Sequence, residues 1–121
     1  VPLPVSAPFH CALMQPAADA MAEALANATV TAPVVPVIAN VTATPLSDPE
    51  EIKARLVEQV TGTVRWRECV LAMAAGGVTH LYELGCGKVL SGLARRIDKS
   101  LAGDPVGTPE DVDKIAAALK T

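Results

Sequence analysis

Thr79-His80-Leu81-Tyr82-Glu83-Leu84-Gly85-Cys86-Gly87-Lys88-Val89-Leu90 is the stretch that decides the fold. Residues 79–84 have the length and the aliphatic and aromatic content of a strand, and they run straight into a turn of two glycines around one cysteine. Val89, Leu90, Leu93 and Ile97 then recur at three- and four-residue spacing, which predicts a helix with those four on its buried side. A strand that passes through a tight turn into a helix is the building unit of α/β proteins. The same turn tempts a phosphate-cradle reading, but Leu90 stands where GxGxxG needs its third glycine, and no Gly-Lys-Ser/Thr follows.

Downstream, Gly103, Pro105 and Gly107 read as a loop, and Thr108-Pro109-Glu110-Asp111 opens a last helix with Val112, Ile115, Ala116 and Leu119 apolar. Upstream, a helix around residues 67–75, with Val70, Met73 and Ala74 apolar, closes at Gly76-Gly77. Before it, Ser47-Asp48-Pro49-Glu50-Glu51 supplies a cap, a proline for the first helical position and acidic residues for the positive end of the dipole. The helix so started carries Ile52, Leu56 and Val60 inward and ends at Gly62. Pro33 and Pro36 bracket residues 34–41, a nearly continuous apolar run expected to be a parallel-sheet strand covered on both faces. Leu13, Met14, Ala17, Ala18, Met21, Ala22 and Leu25 mark one buried face of a helix over residues 13–26, with Pro16 tolerable only in its first turn.

The chain has 121 residues, the length of one domain, and half of them are apolar. Phe9, Trp66 and Tyr82 are its only aromatics, so burial must come from smaller side chains. A net charge of -3 with no basic, aromatic-interleaved run argues against nucleic acid as a partner. No apolar run approaches the ~18 residues of a membrane span. Cys11, Cys69 and Cys86 are odd in number and widely spaced, which suits a reducing cytosol better than a disulfide framework. No CxxC or HxxxH spacing occurs, so a zinc site built from His10, Cys11, Cys69, Cys86 or His80 is a weak reading. Two or three strands make a poor free-standing sheet, and the opening Val-Pro-Leu-Pro has neither an initiator methionine nor the features of a signal peptide. Both observations read as a fragment of a longer polypeptide.

Pro2, Pro4 and Pro8 punctuate the first residues, predicting an extended, taut connector that presents His10 in a fixed place. An imidazole so held can move protons at neutral pH if a nucleophile and an orienting acceptor flank it. Ser6, Ser47, Ser91 and Ser100 all lack glycines two residues to either side, so none forms a GxSxG nucleophile elbow.

Four stretches together resemble a known family. Leu3-Pro4-Val5-Ser6-Ala7-Pro8-Phe9-His10-Cys11-Ala12-Leu13-Met14 is similar to the catalytic-histidine motif of bacterial malonyl-CoA:acyl carrier protein transacylases, enzymes of fatty-acid synthesis. Pro36-Val37-Ile38-Ala39-Asn40-Val41, then Leu56-Val57-Glu58-Gln59-Val60 with Val64-Arg65-Trp66, then Glu83-Leu84-Gly85-Cys86-Gly87-Lys88-Val89-Leu90 follow in the family's order. The resemblance runs end to end and matches the family's C-terminal part.

That resemblance implies an α/β fold: the returning part of an α/β-hydrolase-like acyltransferase lobe over residues 13–121. Residues 1–12 would be the end of a ferredoxin-like small lobe and the connector carrying the histidine. It implies His10 and Gln59 as the catalytic residues here, His10 as general base and Gln59 as the residue whose backbone carbonyl holds the ring. The serine nucleophile, the oxyanion-hole donors and the arginine that pairs with the malonyl carboxylate would lie in the missing N-terminal half, leaving this chain inactive alone. Phe9 would select malonyl over α-branched acyl groups, with simple core packing as the bland alternative. Arg95 and Arg96 would dock the acidic carrier protein, with a solvated helix face as theirs. The implied partners are malonyl-CoA, a coenzyme A thioester bound as substrate with no cofactor, and acyl carrier protein, in the cytoplasm, with no metal, membrane or nucleic acid. A non-catalytic carrier-protein-binding or assembly module is the rival class. A thiol–imidazole pair of Cys86 and His10 is a remoter one.

Overall fold

The computed structural model describes residue 4 and residues 7–120, and the chain divides into two compact units, Val1–Cys69 and Val70–Thr121. In the first unit a short 3-10 turn, Ala12–Met14, leads into helix α1, Gln15–Ala26. Pro16 sits in the first turn, where its missing amide costs no helical hydrogen bond. α1 lies against helix α2, Pro49–Thr61, but Ala18 is its one buried residue, while Leu13 and Met21 stay exposed. The broad inward face expected from the spacing is therefore much narrower in this chain.

The strand expected over residues 34–41 is corrected in both extent and direction. Only β1, Val37–Ile38, is extended, and it pairs antiparallel with β2, Pro45–Leu46, in the register Val37↔Leu46 and Ile38↔Pro45. Pro33 and Pro36 lack ladder donors, and the chain reverses where Ala43 takes a left-handed φ of 53° and its amide bonds the Ala39 carbonyl at 3.0 Å. Val34 is fully exposed, so the run is not covered on both faces. What is buried is a small cluster of Ala39, Leu46 and Ile52, with Val37 and Leu56 packed on it.

α2 begins as its sequence predicts: the Asp48 carboxylate accepts from the Glu51 amide at 2.8 Å, Pro49 follows, and Glu50 and Glu51 occupy the first turn. It ends at Gly62, a position with no room for a side chain. The Gly62 backbone is extended, and a Cβ there would meet Val41 Cγ2 at 2.8 Å and the Glu58 carbonyl at 3.0 Å. Helix α3, Trp66–Ala75, closes with Gly77 at φ 94°, its amide bonding Ala74 and that of Val78 bonding Met73, a Schellman end.

In the second unit, β3, His80–Leu84, pairs in parallel with β4, Ala102–Val106, from His80↔Ala102 to Leu84↔Val106. β4 occupies the stretch expected to be a loop. Its glycine and proline disguise it, yet Pro105 is tolerable because β4 is an edge strand among the described residues. Helix α4, Val89–Ile97, joins the two strands, giving the expected strand–turn–helix unit with its return strand. Its buried side differs from expectation: Ser91 and Ala94 face inward, whereas Val89 and Leu90 are exposed. Small residues win here because the helix lies close on β4, a Cβ on Gly103 falling 3.6 Å from Ser91 Cα. The last helix, α5, Pro109–Leu119, starts with a full capping box between Thr108 and Asp111. It buries no residue, and Val112 and Leu119, expected on its apolar face, are exposed.

Candidate active site

His10 and Gln59, 49 residues apart in the chain, meet in the first unit: the ring Nδ1 lies 2.9 Å from the Gln59 carbonyl oxygen. The end of α2 explains why that carbonyl is free. The last bond of the helical ladder runs from the Gly62 amide to the Glu58 carbonyl at 3.0 Å, so Gln59 is the first residue whose carbonyl has no amide to accept from. A carbonyl can only accept, so the bond requires a proton on Nδ1. In the neutral ring this leaves Nε2 with the lone pair, and among the described residues nothing bonds Nε2.

His10, expected at the end of an extended connector, is held in the left-handed region at φ 54°. A non-glycine residue there is uncommon and costs on the order of 1–3 kcal/mol, a strain that surrounding structure must hold in place. Val1, Pro2, Leu3, Val5 and Ser6 lie outside the described residues, and so does most of the expected connector. After His10 the chain tightens at once, the Met14 amide bonding the Cys11 carbonyl at 2.9 Å.

Gln59 makes a second contact that the sequence did not suggest. Its side-chain Oε1 accepts from the Asn40 amide at 3.2 Å. Asn40 in turn gives its carbonyl to the Arg65 amide at 2.8 Å, and Arg65 reaches the Thr42 carbonyl at 3.3 Å. Next to it, the Cys69 thiol points at the Ala39 carbonyl at 3.6 Å. Cys69 is buried, and burial first, then the Glu68 carboxylate, push its pKa up, so it is an inert thiol.

Phe9 precedes His10 and is 55% exposed, so core packing does not account for it within this chain. Arg95 and Arg96 occupy the last turn of α4 in the second unit, both exposed, at the end where the helix dipole favours cations. Arg95 also lines an open hollow of about 450 Å³ with Lys99, Ser100, Leu101 and Ala102, and Arg96 does not. Lys99, just past the end of α4, brings a second cation to this hollow, which the adjacency of Arg95 and Arg96 in the sequence does not announce.

The glycine turn at Gly85-Cys86-Gly87 is not open to an anion. The Glu83 carboxylate already takes the Leu90 and Ser91 amides at 3.2 and 2.9 Å and the Ser91 hydroxyl at 2.8 Å. These bonds, the Ser91 amide first, hold the Glu83 carboxyl below its usual range. Ser91 thus donates its hydroxyl to Glu83, and Ser100 donates its own to Asp98 at 2.6 Å. Cys86 is exposed and belongs to the second unit, His10 to the first. A further cluster unseen in the sequence joins His80 Nε2 to the Asp104 carboxylate at 2.8 Å, with the His80 ring stacked on Tyr82 at 4.5 Å. Among the described residues no three His, Cys, Asp or Glu side chains group as metal ligands, and no helix is long and apolar enough to cross a membrane.

Comparison with known proteins places this geometry among relatives. No protein-family model matches the chain. Over 120 residues, 99% of the chain, it is 48% identical to the malonyl CoA-acyl carrier protein transacylase of Escherichia coli K12, of which it covers 38%. It superposes on the crystal structure of the acyl-carrier-protein-S-malonyltransferase of Bartonella henselae with a TM-score of 0.84 and 56% identity, covering 98% of this chain and 38% of that one. A second structure, a type II polyketide synthase acyl-carrier protein in complex with its malonyl-transacylase, matches at a TM-score of 0.80 and 39% identity, covering 100% of this chain and 38% of that one. The chain is thus homologous along its whole length to malonyl CoA-acyl carrier protein transacylases, and spans about 38% of their length.

Proposed function

We propose that this chain is the histidine-bearing segment of a malonyl-CoA:acyl carrier protein transacylase, with His10 as general base and Gln59 as the residue that orients it. The observation that carries the reading is the His10 Nδ1 bond to the Gln59 carbonyl, which leaves Nε2 basic and facing away from its anchor. In the proposed reaction Nε2 takes the hydroxyl proton of a serine contributed by the rest of the complete protein. The serine oxygen forms a bond to the malonyl thioester carbon, the carbon–sulfur bond breaks, and His10 returns the proton to the departing coenzyme A thiolate. The carrier protein's pantetheine thiol then gives its proton to Nε2 as its sulfur takes the malonyl group, and the proton goes back to the serine. No cofactor is needed for these steps. The carbonyl end of α2 faces the ring, so the positive charge that develops on the imidazole is stabilised without a carboxylate.

Ser91 and Ser100 give their hydroxyls to Glu83 and Asp98 and not to His10, which fits a nucleophile supplied from elsewhere. Residues 1–12 are read as the connector from a small lobe and residues 13–121 as the return into the large acyltransferase lobe. Phe9 is read as a selectivity residue for an unbranched acyl group, and Arg95 and Arg96 as contacts for an acidic carrier protein, in the cytoplasm. The test is transfer of radiolabelled malonyl from coenzyme A to acyl carrier protein by the complete protein, with an acyl-serine intermediate trapped by acid quench. Absence of both transfer and the trapped ester in the complete protein would remove the reading, and malonyl transfer by this chain alone would refute its dependence on an outside serine.

A further inference from the structure

We infer that the Gln59 side chain is a positioning residue for His10, acting through its bond to the Asn40 amide while the carbonyl of the same residue holds the ring. This rests on the reading of His10 as the base.

The carbonyl that orients the imidazole belongs to the fraying end of a helix, where no ladder bond fixes it. A carbonyl so placed has no ladder bond to keep it aimed at the ring. The same residue supplies the remedy. Gln59 Oε1 grips the Asn40 amide at 3.2 Å in the turn after β1, and that turn is itself anchored on other sides. Arg65 holds the Asn40 carbonyl at 2.8 Å, the Cys69 thiol meets the Ala39 carbonyl, and the Ala43 amide closes the turn on Ala39 at 3.0 Å. Gly62 adds a steric stop, since its Cα lies so near Val41 that even a Cβ would collide. The last turn of α2 is therefore clamped to a braced hairpin, and the clamp and the ring acceptor sit on one residue. A strained His10 needs such over-determination from its surroundings.

The clamp is polar and directional, so it can be removed without emptying a core site. In the complete protein, Gln59→Ala keeps the carbonyl and loses the clamp. A hydrogen bond of this kind is worth about 1 kcal/mol, so kcat is expected to fall about five- to tenfold with the KM for malonyl-CoA unchanged. The 15N shifts of the His10 ring should change from one dominant Nδ1–H tautomer to a mixture of tautomers. Gln59→Glu, whose carboxylate can still accept from the Asn40 amide, should keep kcat within about twofold and preserve the single tautomer. Should Gln59→Ala fail to fold, Gln59→Met, which keeps the length without an acceptor, takes its place against Gln59→Glu. Equal kcat and one unchanged tautomer in acceptor-less and acceptor-bearing variants would overturn the positioning role. Failure of the underlying reading would look different: His10→Ala itself would then turn over like the parent.

Discussion

The Gln59 carbonyl accepts the Nδ1 proton of His10 at 2.9 Å at the point where α2 runs out of amides to fill it. In the proposed site an orphan carbonyl at a helix end, usually left to water, takes the place that a buried carboxylate has in the Ser-His-Asp triad. Because the acceptor is backbone, it is present whatever side chain stands at position 59, so substitution there changes how firmly the carbonyl is held and not whether it exists.

Phe9 is exposed in this chain, so its replacement should cost little stability. In the complete protein, Phe9→Ser should lower the ratio of kcat/KM for malonyl-CoA over methylmalonyl-CoA about tenfold, the size of one methyl group's discrimination in an apolar pocket. Competition between the two thioesters measures this, and an unchanged ratio would end the selectivity role.

Charge reversal at Arg95 and Arg96 should raise the KM for acyl carrier protein and leave that for malonyl-CoA alone. Arg95 shares its hollow with Lys99 and Arg96 does not, so Arg95→Glu should have the larger effect, and the effect should shrink as salt rises. Equal changes in both KM values would count against docking.

Glu83 holds the start of α4 through the Ser91 and Leu90 amides, and those bonds lower its carboxyl pKa in the folded state. A depressed carboxyl contributes stability that is present above its unfolded value of about 4.3 and is lost as pH falls through the lower folded value. Asp98 and Asp111, lowered chiefly by bonds from Ser100 and from the Gly107 amide respectively, act in the same direction. Thermal unfolding from pH 7 to pH 3 should therefore show Tm falling with acid, and Glu83→Gln should flatten that fall. An identical slope in the variant would show that Glu83 does not cap the helix.

Two glycines should respond with opposite signs. Gly77 ends α3 at φ 94°, so Gly77→Ala should destabilise by about 1 kcal/mol, while Gly92, inside α4 with nothing within 4 Å of its Cβ position, should gain about 0.5–1 kcal/mol as alanine. Denaturant unfolding of both variants reads the two signs directly.

Most helices were legible because their boundaries are local chemistry: Asp48 with Pro49, Thr108 with Asp111, and Gly77 each announce an end within a few residues. What was not legible depended on space. β4 hid behind Gly103 and Pro105, whose value lies in letting α4 come close and in needing no further strand partner. Hydrophobicity picked Val89 and Leu90 as the inward side of α4, whereas close approach selected Ser91 and Ala94. The apolar run at Val34 and Val35 promised a buried strand, yet both are exposed. At the site, His10 stood out through its motif, but its left-handed backbone and the Gln59–Asn40 bond join residues too distant in sequence for any spacing rule to pair.

The account turns on His10 as the proton carrier, and pre-steady-state malonylation of the complete protein tests that most directly. His10→Ala should cut the rate of acyl-enzyme formation by about 10²–10⁴-fold, far more than Gln59→Ala, with malonyl-CoA binding retained. An acylation rate in His10→Ala equal to that of the parent, or a loss no greater than that of Gln59→Ala, would contradict it.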